Sequence, residues 1–446
     1  MKYSAINIGP VVKTLGLARK PRELWSASFL FSDLMGYLIN EVPKGVDIIS
    51  PAFCPPCSGV GLYPDRLFIK GDISDPQMQK LINDAWEKFE NDVFPGKDVR
   101  DYFSIMNASV EAEQEHEAVK QLNAILDRLE LNVMASGTTS MNHVVKLIQM
   151  TSGSPLFSHG IGSNRMPVES LLEIAEASLE ALNGDRKSFH DYVCVVQTDG
   201  DEVGSYVTSP SLKPGQLKDV SSALLDFGIQ AKKAVDEFGG MPVYAGGDDL
   251  LFIAPVIGKD GKTTIFDLLA NLDDVAFAGV RHHIPAASLS FGVSITYYRF
   301  PLYEALEMAR KLLIGVAKNV PGKNAVAWTL QKHSGEQFSA SFSRKHLWDE
   351  FMNLIDKTVD GNTVSAVAHK IREFDPLVSK VLGSGARQRL DGFFDKVLEM
   401  KNNDYFSAVK ELMPVLYDVC RDTYADVLYA ILRTAKFVKG EEPKDE

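Results

Sequence analysis

The chain has 446 residues and a formal net charge of −12, so it is long enough for two to four domains and shows no general basic surface for free nucleic acid. Its four cysteines are too few for a disulfide-stabilised fold, and no apolar run approaches the ~20 residues needed to cross a bilayer. Because the first residues are typical of a strand and not of a secretion signal, we expect a cytoplasmic protein.

The first predicted unit is a small α/β domain, residues 1–100. Strands are expected at residues 3–8, 46–50 and 66–70, and a helix that opens with Asp-Pro is expected at 75–94. Between the first two strands, apolar residues recur every three or four positions, which predicts a helix with one buried face. The residues of that face are Leu24, Ala27, Phe31, Leu34 and Leu38.

A short basic group stands just before this helix pattern. Arg19, Lys20 and Arg22 are close together in sequence. Charged side chains at such a position are usually solvated, so we favour an exposed surface for all three. Contact with a phosphate or a nucleotide is the alternative interpretation.

Cys54 and Cys57 have the spacing of two metal ligands. Structural zinc usually needs four ligands, and the chain has no second cysteine pair of this kind. His143 and His159 are the candidate partners, but both are distant in sequence. We therefore favour a proline-stiffened loop over a zinc site for this pair.

Residues 101–185 are predicted to form a mainly helical linker region. A charged segment over 101–131 has the composition of a helix, a glycine- and serine-rich interval follows at 136–163, and another helix is expected at 165–182. The linker region contains no cysteine, so we expect no cysteine-bound zinc within it.

A second α/β domain is predicted at residues 186–335. The continuous apolar run at 192–198 is typical of a strand buried on both faces, and two apolar runs at 241–245 and 250–254 flank a four-residue turn, which indicates a β-hairpin. A helix is expected before the hairpin. The later elements are a strand, a helix and a strand: residues 288–296, 302–316 and 325–329. The resulting order, β-α-β-β-α-β, is the ferredoxin-like arrangement of palm domains.

Acidic residues stand at the ends of these strands. Asp199 follows the first strand, and Asp248 and Asp249 lie in the hairpin turn with no basic neighbour in sequence. In the ferredoxin-like order the end of the first strand lies beside the hairpin tip, so all three carboxylates should meet. Adjacent acids repel each other unless they share a cation, and carboxylate oxygens suit magnesium or manganese. Three converging carboxylates are typical of a two-metal site.

Gly246 and Gly247 precede the two aspartates in the turn. Because neither residue has a Cβ atom, another molecule could approach this part of the backbone closely. Taken alone, the tetrapeptide is about as consistent with an ordinary polar hairpin turn as with a binding site. The convergence with Asp199 is what favours the site.

The last part of the chain, residues 336–446, is predicted to be a helical domain. Helical periodicity extends over residues 345–359, 364–374, 386–400 and 404–439. The final residues, GEEPKDE, are expected to be a disordered acidic tail.

Several motifs of the second domain resemble a known family. VVQTDGDEVG, AGGDDLLF, SLSFGVSI and ALEMARKLLIGVAKNVPGKNAVAW resemble the active palm domain in the large subunit of type III CRISPR effector complexes, and more distantly the diguanylate cyclases. INIGPVVKTLGLARKPRELWSASFLFSDLM resembles the first palm-like domain of the Cmr-type large subunit, but without Gly-Gly-Asp-Asp, so that domain is expected to be catalytically silent. The resemblance implies an α+β fold with two ferredoxin-like palm domains, a helical region between them and a C-terminal helical bundle.

The metal ligands can be assigned to residues of the second palm domain. Asp199 and Asp248 are expected to be the principal ligands of the two metal ions, and Asp249 either a third ligand or the proton acceptor. The resemblance to cyclases further implies that the carbonyl oxygen of Gly200 completes the metal shell.

Phosphate-binding residues are implied by an Ala-Lys pair followed by Gly-Lys-Asn, which resembles a pattern of nucleotide cyclases. Lys318 is expected to bind the β- and γ-phosphates as a point charge. Lys323 is a weaker candidate, for which an exposed loop charge is about as consistent.

The function implied is a nucleotidyltransferase that makes cyclic oligoadenylate from ATP when a complex of this chain, other protein subunits and guide RNA binds target RNA. Two alternatives stay open. The chain could join ATP to S-adenosylmethionine instead, or it could be a non-catalytic scaffold for guide RNA and small subunits. Because the sequence starts directly at the first palm-like domain, no HD-type nuclease activity is expected, and no membrane partner is implied.

Overall fold

The computed structural model describes residues 1–53, 59–131, 138–150, 153–156, 168, 170–213, 215–357, 361–384, 389, 392 and 404–440. Two β-sheets, of four and six strands, organise these residues. The Cys54 and Cys57 pair lies outside the described residues, as does His159. Of the helices described, none combines the length and the apolar character needed to cross a membrane.

The first sheet has the ferredoxin-like strand order β2-β3-β1-β4, with every neighbouring pair antiparallel. Its strands are β1 (Lys2–Gly9), β2 (Asp47–Ser50), β3 (Arg66–Lys70) and β4 (Ser104–Glu111). Its helices are α1 (Val11–Leu15), α2 (Pro21–Asn40), α3 (Asp75–Val93) and α4 (Glu115–Glu130). The predicted apolar face of α2 is buried, and most of the rest of this helix is buried as well.

Strand β4 corrects the prediction that residues 101–131 are helical. Its side chains alternate between exposed and half-buried positions, which is the period of a strand, whereas the charge of the region belongs mainly to α4. Because β4 pairs with β1 along its whole length, the first sheet extends beyond the predicted domain boundary at residue 100.

After β4 and α4, the described part of the predicted linker region contains two further helices, α5 (Thr138–Ile148) and α6 (Leu171–Ala175). Helix α5 lies inside the interval that its glycine and serine content marked as a loop. Helix α6 ends seven residues before the end of the predicted helix at 165–182, because turns follow it from residue 176.

The second sheet has the order β10-β9-β8-β5-β7-β6. Its strands are β5 (Tyr192–Asp201), β6 (Met241–Gly246), β7 (Asp249–Pro255), β8 (Ser288–Tyr297), β9 (Ala325–Gln331) and β10 (Gln337–Ser343). The helices within this region are α7 (Val203–Val207), α8 (Gln216–Phe238), α9 (Ile265–Asn271), α10 (Ala278–His283) and α11 (Leu302–Lys311). The four strands β8-β5-β7-β6 form the ferredoxin-like unit, so the predicted fold class is confirmed.

The second crossover of this unit is not the helix that was predicted for it. Helices α9 and α10 connect β7 to β8, whereas α11, at the predicted 302–316, connects β8 to a parallel strand β9 and so extends the sheet. Strand β10 then pairs antiparallel with β9, which carries the sheet beyond the predicted boundary at residue 335. The segment of α9 and α10 was missed because it contains two short helices and a π-helical turn instead of one long periodic stretch.

The C-terminal helices pack directly on the second sheet. They are α12 (Arg344–Asp356), α13 (Gly361–Glu373), α14 (Asp375–Gly383), α15 (Asp404–Cys420) and α16 (Tyr424–Val438). The buried indole of Trp328 on β9 donates a hydrogen bond of 3.0 Å to Thr434 on α16, and both elements share one hydrophobic core. The predicted helix at 386–400 falls almost wholly outside the described residues, and the predicted helix at 404–439 is interrupted by the turn Arg421–Thr423.

The two palm domains contact each other through backbone and apolar side chains. Ala245 on β6 donates its N–H to the carbonyl of Gly61 at 2.9 Å, and Val60 and Leu62 belong to the core of the second domain. Helix α2 packs on α3 at one side and on β6 at the other, which explains why it is buried on more than one face.

The basic group before α2 is only partly solvated, contrary to the prediction. Arg19 is exposed and stacks over the ring of Tyr303 on α11 at 5.2 Å, whereas Arg22 is buried. Lys20 is exposed as predicted.

A buried ion pair joins α12 to the turn after α9. The carboxylate of Asp273, itself buried, accepts hydrogen bonds from the guanidinium of Arg344, from Arg281 at 2.9 Å and from the N–H of Leu289 at 2.8 Å. Because a buried charge that loses its partner is strongly destabilising, this contact should matter to stability.

We therefore expect Arg344→Met to lower the stability of the chain by about 3 kcal/mol, because Asp273 loses one of its two cationic partners inside the protein. The thermal unfolding midpoint measures this effect. Lys345→Met, at the next and exposed position, is the matched control and should leave the midpoint almost unchanged. Equal midpoints for the two variants would contradict the prediction.

Candidate active site

The hairpin between β6 and β7 closes tightly at the predicted turn. Gly246 pairs with Asp249, which leaves Gly247 and Asp248 as the two turn residues. Gly247 has a φ of +68°, a backbone conformation that favours glycine, and no heavy atom lies within 4 Å of the position that a Cβ would take. The turn is therefore open at Gly247, as the sequence predicted.

Strand β5 brings its acidic end against this turn. It pairs antiparallel with β7 up to Thr198 and Leu250, so Asp199 and Gly200 come next to the hairpin tip. A Cβ atom on Gly200 would lie only 2.7 Å from the Cβ of Asp248. The structure thus brings Asp199, Asp248 and Asp249 together, and the close approach depends on glycine at position 200.

Asp248 and Asp249 both have raised pKa values. Burial, followed by the negative charge of Asp199, raises the pKa of Asp248 to about 6. Burial also raises the pKa of Asp249 well above its usual range, with further contributions from the charges of Asp248 and Asp199. Asp249 still reaches solvent, so it lies in a cleft that is open to water but surrounded by protein. Such a cluster favours either a shared proton or a shared cation.

Lys318 supplies a positive charge that the sequence neighbourhood did not indicate. Its ammonium nitrogen lies 2.6 Å from Oδ2 of Asp199, 2.8 Å from Oδ1 of Asp201, and 2.9 Å from the carbonyl oxygens of Asp199 and Gly200. Lys318 therefore forms ion pairs with Asp199 and Asp201, contacts that the sequence analysis did not predict. The phosphate-binding role of Lys318 stays a prediction, and it requires the ammonium to leave Asp199.

Asp201 is the fixed centre of a buried polar network. Its carboxylate, in a residue that is 1% exposed, accepts hydrogen bonds from the hydroxyls of Ser288 and Ser290, from the N–H of Asn324 at 2.9 Å and from Lys318. The sequence analysis assigned no role to Asp201, which lies within the motif VVQTDGDEVG. The signal was available, because Asp201 stands two positions after Asp199 and lies on the same side of the strand.

The loop after Lys318 forms hydrogen bonds with the start of α12 and with Asp201. Lys323 and Asn324 both have positive φ values, 49° and 45°, which are uncommon for residues other than glycine. The Asn324 carbonyl accepts the N–H of Arg344 at 2.7 Å, and Ser343 donates its hydroxyl to the Lys323 carbonyl at 3.1 Å. This loop therefore joins the first turn of α12 to Asp201.

Two of the predicted nucleotide-binding residues have different surroundings from those expected. A Cβ on Gly246 would lie 2.5 Å from Cζ of Tyr244, so this glycine makes room for the tyrosine ring and not for a ligand. The side chain of Lys323 is 41% exposed and forms an ion pair of 3.0 Å with Glu202. The second arrangement agrees with the interpretation of Lys323 as a surface charge.

A cavity of about 190 Å³ lies between the two palm domains. Tyr63 and Asp65 of the first domain line one side, and Thr198, Tyr244 and Asp249 of the second line the other. Burial raises the pKa of Asp65, and the buried hydroxyl of Thr198 has no hydrogen-bond partner in the described part of the chain. The first domain thus contributes a carboxylate to the cavity that Asp249 enters, which no sequence pattern indicated.

The donor set fits a hard divalent cation in its chemistry, because carboxylate and carbonyl oxygens are the ligands that magnesium and manganese prefer. Asp199, Asp248 and Asp249, with the carbonyl of Gly200, are the residues that would hold it. In the described residues, however, no group of three or more histidine, cysteine, aspartate or glutamate side chains is arranged closely enough to hold a metal ion. One of these carboxylates, that of Asp199, is already engaged in an ion pair with Lys318.

Comparison with known families gives matches in both α/β domains. Residues 192–327 match the model of the second palm domain of Cas10/Cmr2. The second palm region of this chain is similar to that of Cas10/Cmr2. Residues 3–54 match the N-terminal model of the CRISPR-associated protein Cmr2. The predicted resemblance to the Cmr-type large subunit of type III complexes is therefore confirmed.

Relatives of known sequence or structure agree with this assignment. The Cmr2 subunit of the Cmr system from Pyrococcus furiosus is 31% identical over 195 residues, which are 38% of this chain and only 22% of that protein. The chain also resembles a type III-B Cmr-beta structure bound to cognate target RNA, with 11% identity, a TM-score of 0.60 and coverage of 99% of this chain and 83% of that one. A Csm1–Csm4 cassette in complex with cA4 has 15% identity and a TM-score of 0.59, covering 97% and 69% of the two chains. The two structural similarities show a shared palm-containing fold.

We expect Asp201→Asn to destabilise the protein by about 3 kcal/mol, because the amide cannot offset the charge of Lys318 in a buried site. The thermal unfolding midpoint should fall clearly. Glu202→Gln, which neutralises the exposed neighbouring acid, is the control and should cost at most about 1 kcal/mol. A midpoint of the Asp201 variant equal to that of the control would show that the network does not stabilise the fold.

The raised pKa of Asp248 predicts a pH dependence of stability in the absence of divalent cations. A carboxyl group with a pKa of about 6 in the folded chain and about 4 in the unfolded chain holds its proton more tightly when folded. Its contribution to stability is therefore complete below about pH 4 and is lost as the pH rises through about 6. In Asp248→Asn that loss is absent.

The measurement is the difference in unfolding midpoint between Asp248→Asn and the unmodified chain, recorded in chelator from pH 4 to pH 8. We expect the difference to move in favour of the variant as the pH rises. Asp219→Asn, an exposed acid on α8, is the control and should show no such trend. A difference that does not change with pH would contradict the raised pKa.

Proposed function

We propose that this chain is the nucleotidyltransferase subunit of an RNA-guided type III effector complex, and that it makes a cyclic oligoadenylate from ATP when target RNA binds. The observation that carries the proposal is the convergence of Asp199, Asp248 and Asp249 at the open end of a palm sheet, made possible by the contact of Gly200 with Asp248. Converging carboxylates on a palm are suited to nucleotidyl transfer because the reaction develops negative charge that a bound metal can offset.

The acidic residues would have two roles, to bind the metal ions and to accept the proton of the attacking hydroxyl. Asp199 and Asp248, with the Gly200 carbonyl, would hold the divalent cations. When bound there, the cations supply Lewis-acid activation of a 3′-hydroxyl and neutralise charge on the departing pyrophosphate. Asp249 is exposed and lines the cavity between the two palm domains, which suits a third ligand or an acceptor for the proton of the attacking hydroxyl.

The nucleotide would be positioned from the two sides of the turn. Gly247 leaves open space beside the backbone, so a phosphate or ribose could approach it without steric conflict. Lys318 would bind the β- and γ-phosphates once it leaves Asp199, and Lys323 would lie further out at the rim. Gly246 has no direct part in this scheme, because the ring of Tyr244 occupies the space beside it.

The choice of substrate and partners is supported by the structural relatives. Csm1–Csm4 cassettes of the same fold have been solved in complex with AMPPNP and with cA4, and a Cmr-beta complex has been solved with cognate target RNA. These relatives are at most 15% identical to this chain, so they support the class of reaction and not its details. Guide RNA, target RNA and other protein subunits are therefore proposed partners.

We expect the double variant Asp248→Ala/Asp249→Ala to lower magnesium-dependent ATP consumption by the assembled complex more than about 100-fold, because two of the three converging carboxylates are removed. The measurement is mass analysis of the products formed with ATP, magnesium and target RNA. The control is Asp219→Ala/Asp226→Ala, which removes two exposed acids of α8 and should leave turnover intact.

The same assay distinguishes the alternatives. Product that forms only when S-adenosylmethionine accompanies ATP would identify an adenylated conjugate as the product. A complex that assembles and binds target RNA but never consumes ATP would favour a scaffold. Undiminished turnover in the double variant at positions 248 and 249 would overturn the proposed catalytic role.

A further inference from the structure

We propose that Lys318 is the resting counter-ion of the acidic site, which a divalent cation must displace from Asp199 and Gly200, and that Asp201 is the positioning residue that retains the lysine afterwards. The inference rests on the proposed function only in taking the Asp199 cluster as the metal site. It goes beyond that function because it assigns Lys318 a role before any nucleotide is bound.

The ammonium group of Lys318 is fully coordinated by protein oxygen atoms, so it is not free to bind a ligand in this structure. An ammonium group has three protons, and four oxygen atoms surround this one within 2.9 Å. Two of them, Oδ2 of Asp199 and the carbonyl oxygen of Gly200, are the oxygens proposed above as metal ligands. The lysine side chain is 17% exposed, so its charge is well shielded from water. Lys318 and a metal ion therefore compete for the same oxygens.

The two acidic partners of Lys318 differ in how firmly they are held. The side chain of Asp201 is 2% exposed and is fixed by two serine hydroxyls and a backbone N–H. The side chain of Asp199 is 37% exposed. Because a contact in the open cleft is easier to replace than one inside a fully hydrogen-bonded network, the contact with Asp199 is the one that should break. The released ammonium would then stay attached to Asp201.

The arrangement has a consequence for the order in which ligands bind. A metal ion that arrives alone must separate Lys318 from Asp199 and gives the ammonium no new partner. A metal ion that arrives with a triphosphate brings anionic oxygens to which the lysine can transfer. The structure therefore favours binding of the metal–triphosphate complex over binding of the free metal.

The test is a titration of the purified chain with Mn²⁺ in the absence of nucleotide. Binding is measured as the loss of the free Mn²⁺ signal in electron paramagnetic resonance. Lys318→Met removes the competing cation, and Asp201→Asn/Lys318→Met removes the ion pair while keeping the net charge of the chain unchanged. We expect both variants to bind Mn²⁺ about tenfold more tightly than the unmodified chain, because charged hydrogen bonds of this kind no longer have to be broken.

Lys311→Met is the matched control. Lys311 is an exposed lysine on α11 that pairs with Glu307 at 3.6 Å, so its replacement makes the same change of charge away from the acids. It should leave the Mn²⁺ affinity unchanged. Addition of Asp199→Asn to Lys318→Met should abolish the tenfold gain, because the freed ligand is then missing.

The outcomes separate this inference from the proposed function. Equal Mn²⁺ affinity in the unmodified chain and in both Lys318 variants would overturn the inference, as would a gain that persists with Asp199→Asn. If Lys318→Met does not fold, the charge-balanced double variant decides the matter alone. Tighter Mn²⁺ binding by these variants, combined with a wild-type complex that never consumes ATP, would support the counter-ion role and contradict the proposed function.

Discussion

The contact between the backbone of Gly200 and the side chain of Asp248 is the constraint on which the site depends. A Cβ atom at position 200 would come within 2.7 Å of the Asp248 Cβ, so only glycine lets β5 end against the hairpin turn. The same contact places Asp199 beside Asp248 and Asp249, whose pKa values are raised first by burial and further by the negative charge of Asp199. The geometry of the palm therefore concentrates negative charge, and the rest of the site consists of ways to offset it.

The sequence was informative wherever a local pattern decides the structure. The hairpin, the glycine at 247 and the buried strand before Asp199 each follow from short-range rules, and the convergence of the acids follows from the ferredoxin-like order. The resemblance to a known family then supplied the nature of the ligands. These parts of the site needed no knowledge of contacts between distant residues, apart from the order of the strands.

The sequence was uninformative where a distant residue decides the structure. The family resemblance placed Lys318 at the site, but its contact with Asp199, more than a hundred positions away, depends on the packing of the segment after α11. Asp65 enters the cavity from the other palm domain, so its position depends on how the two domains dock. Strands β4 and β10 were missed for a related reason: each is an edge strand with mixed polarity, and its identity follows from its pairing with β1 or β9.

The strained loop at residues 323 and 324 has a mechanical consequence. The backbone N–H of Asn324 donates a hydrogen bond to the carboxylate of Asp201, which also binds Lys318. The carbonyl oxygen of Asn324 accepts the N–H of Arg344, the first residue of α12. If α12 shifts as a rigid body, for example on contact of a neighbouring subunit with the C-terminal helices, either the loop moves with it or these two hydrogen bonds break. The molecule thus has a short chain of hydrogen bonds through which a displacement of its C-terminal helices would reach the acidic cluster of the second palm domain.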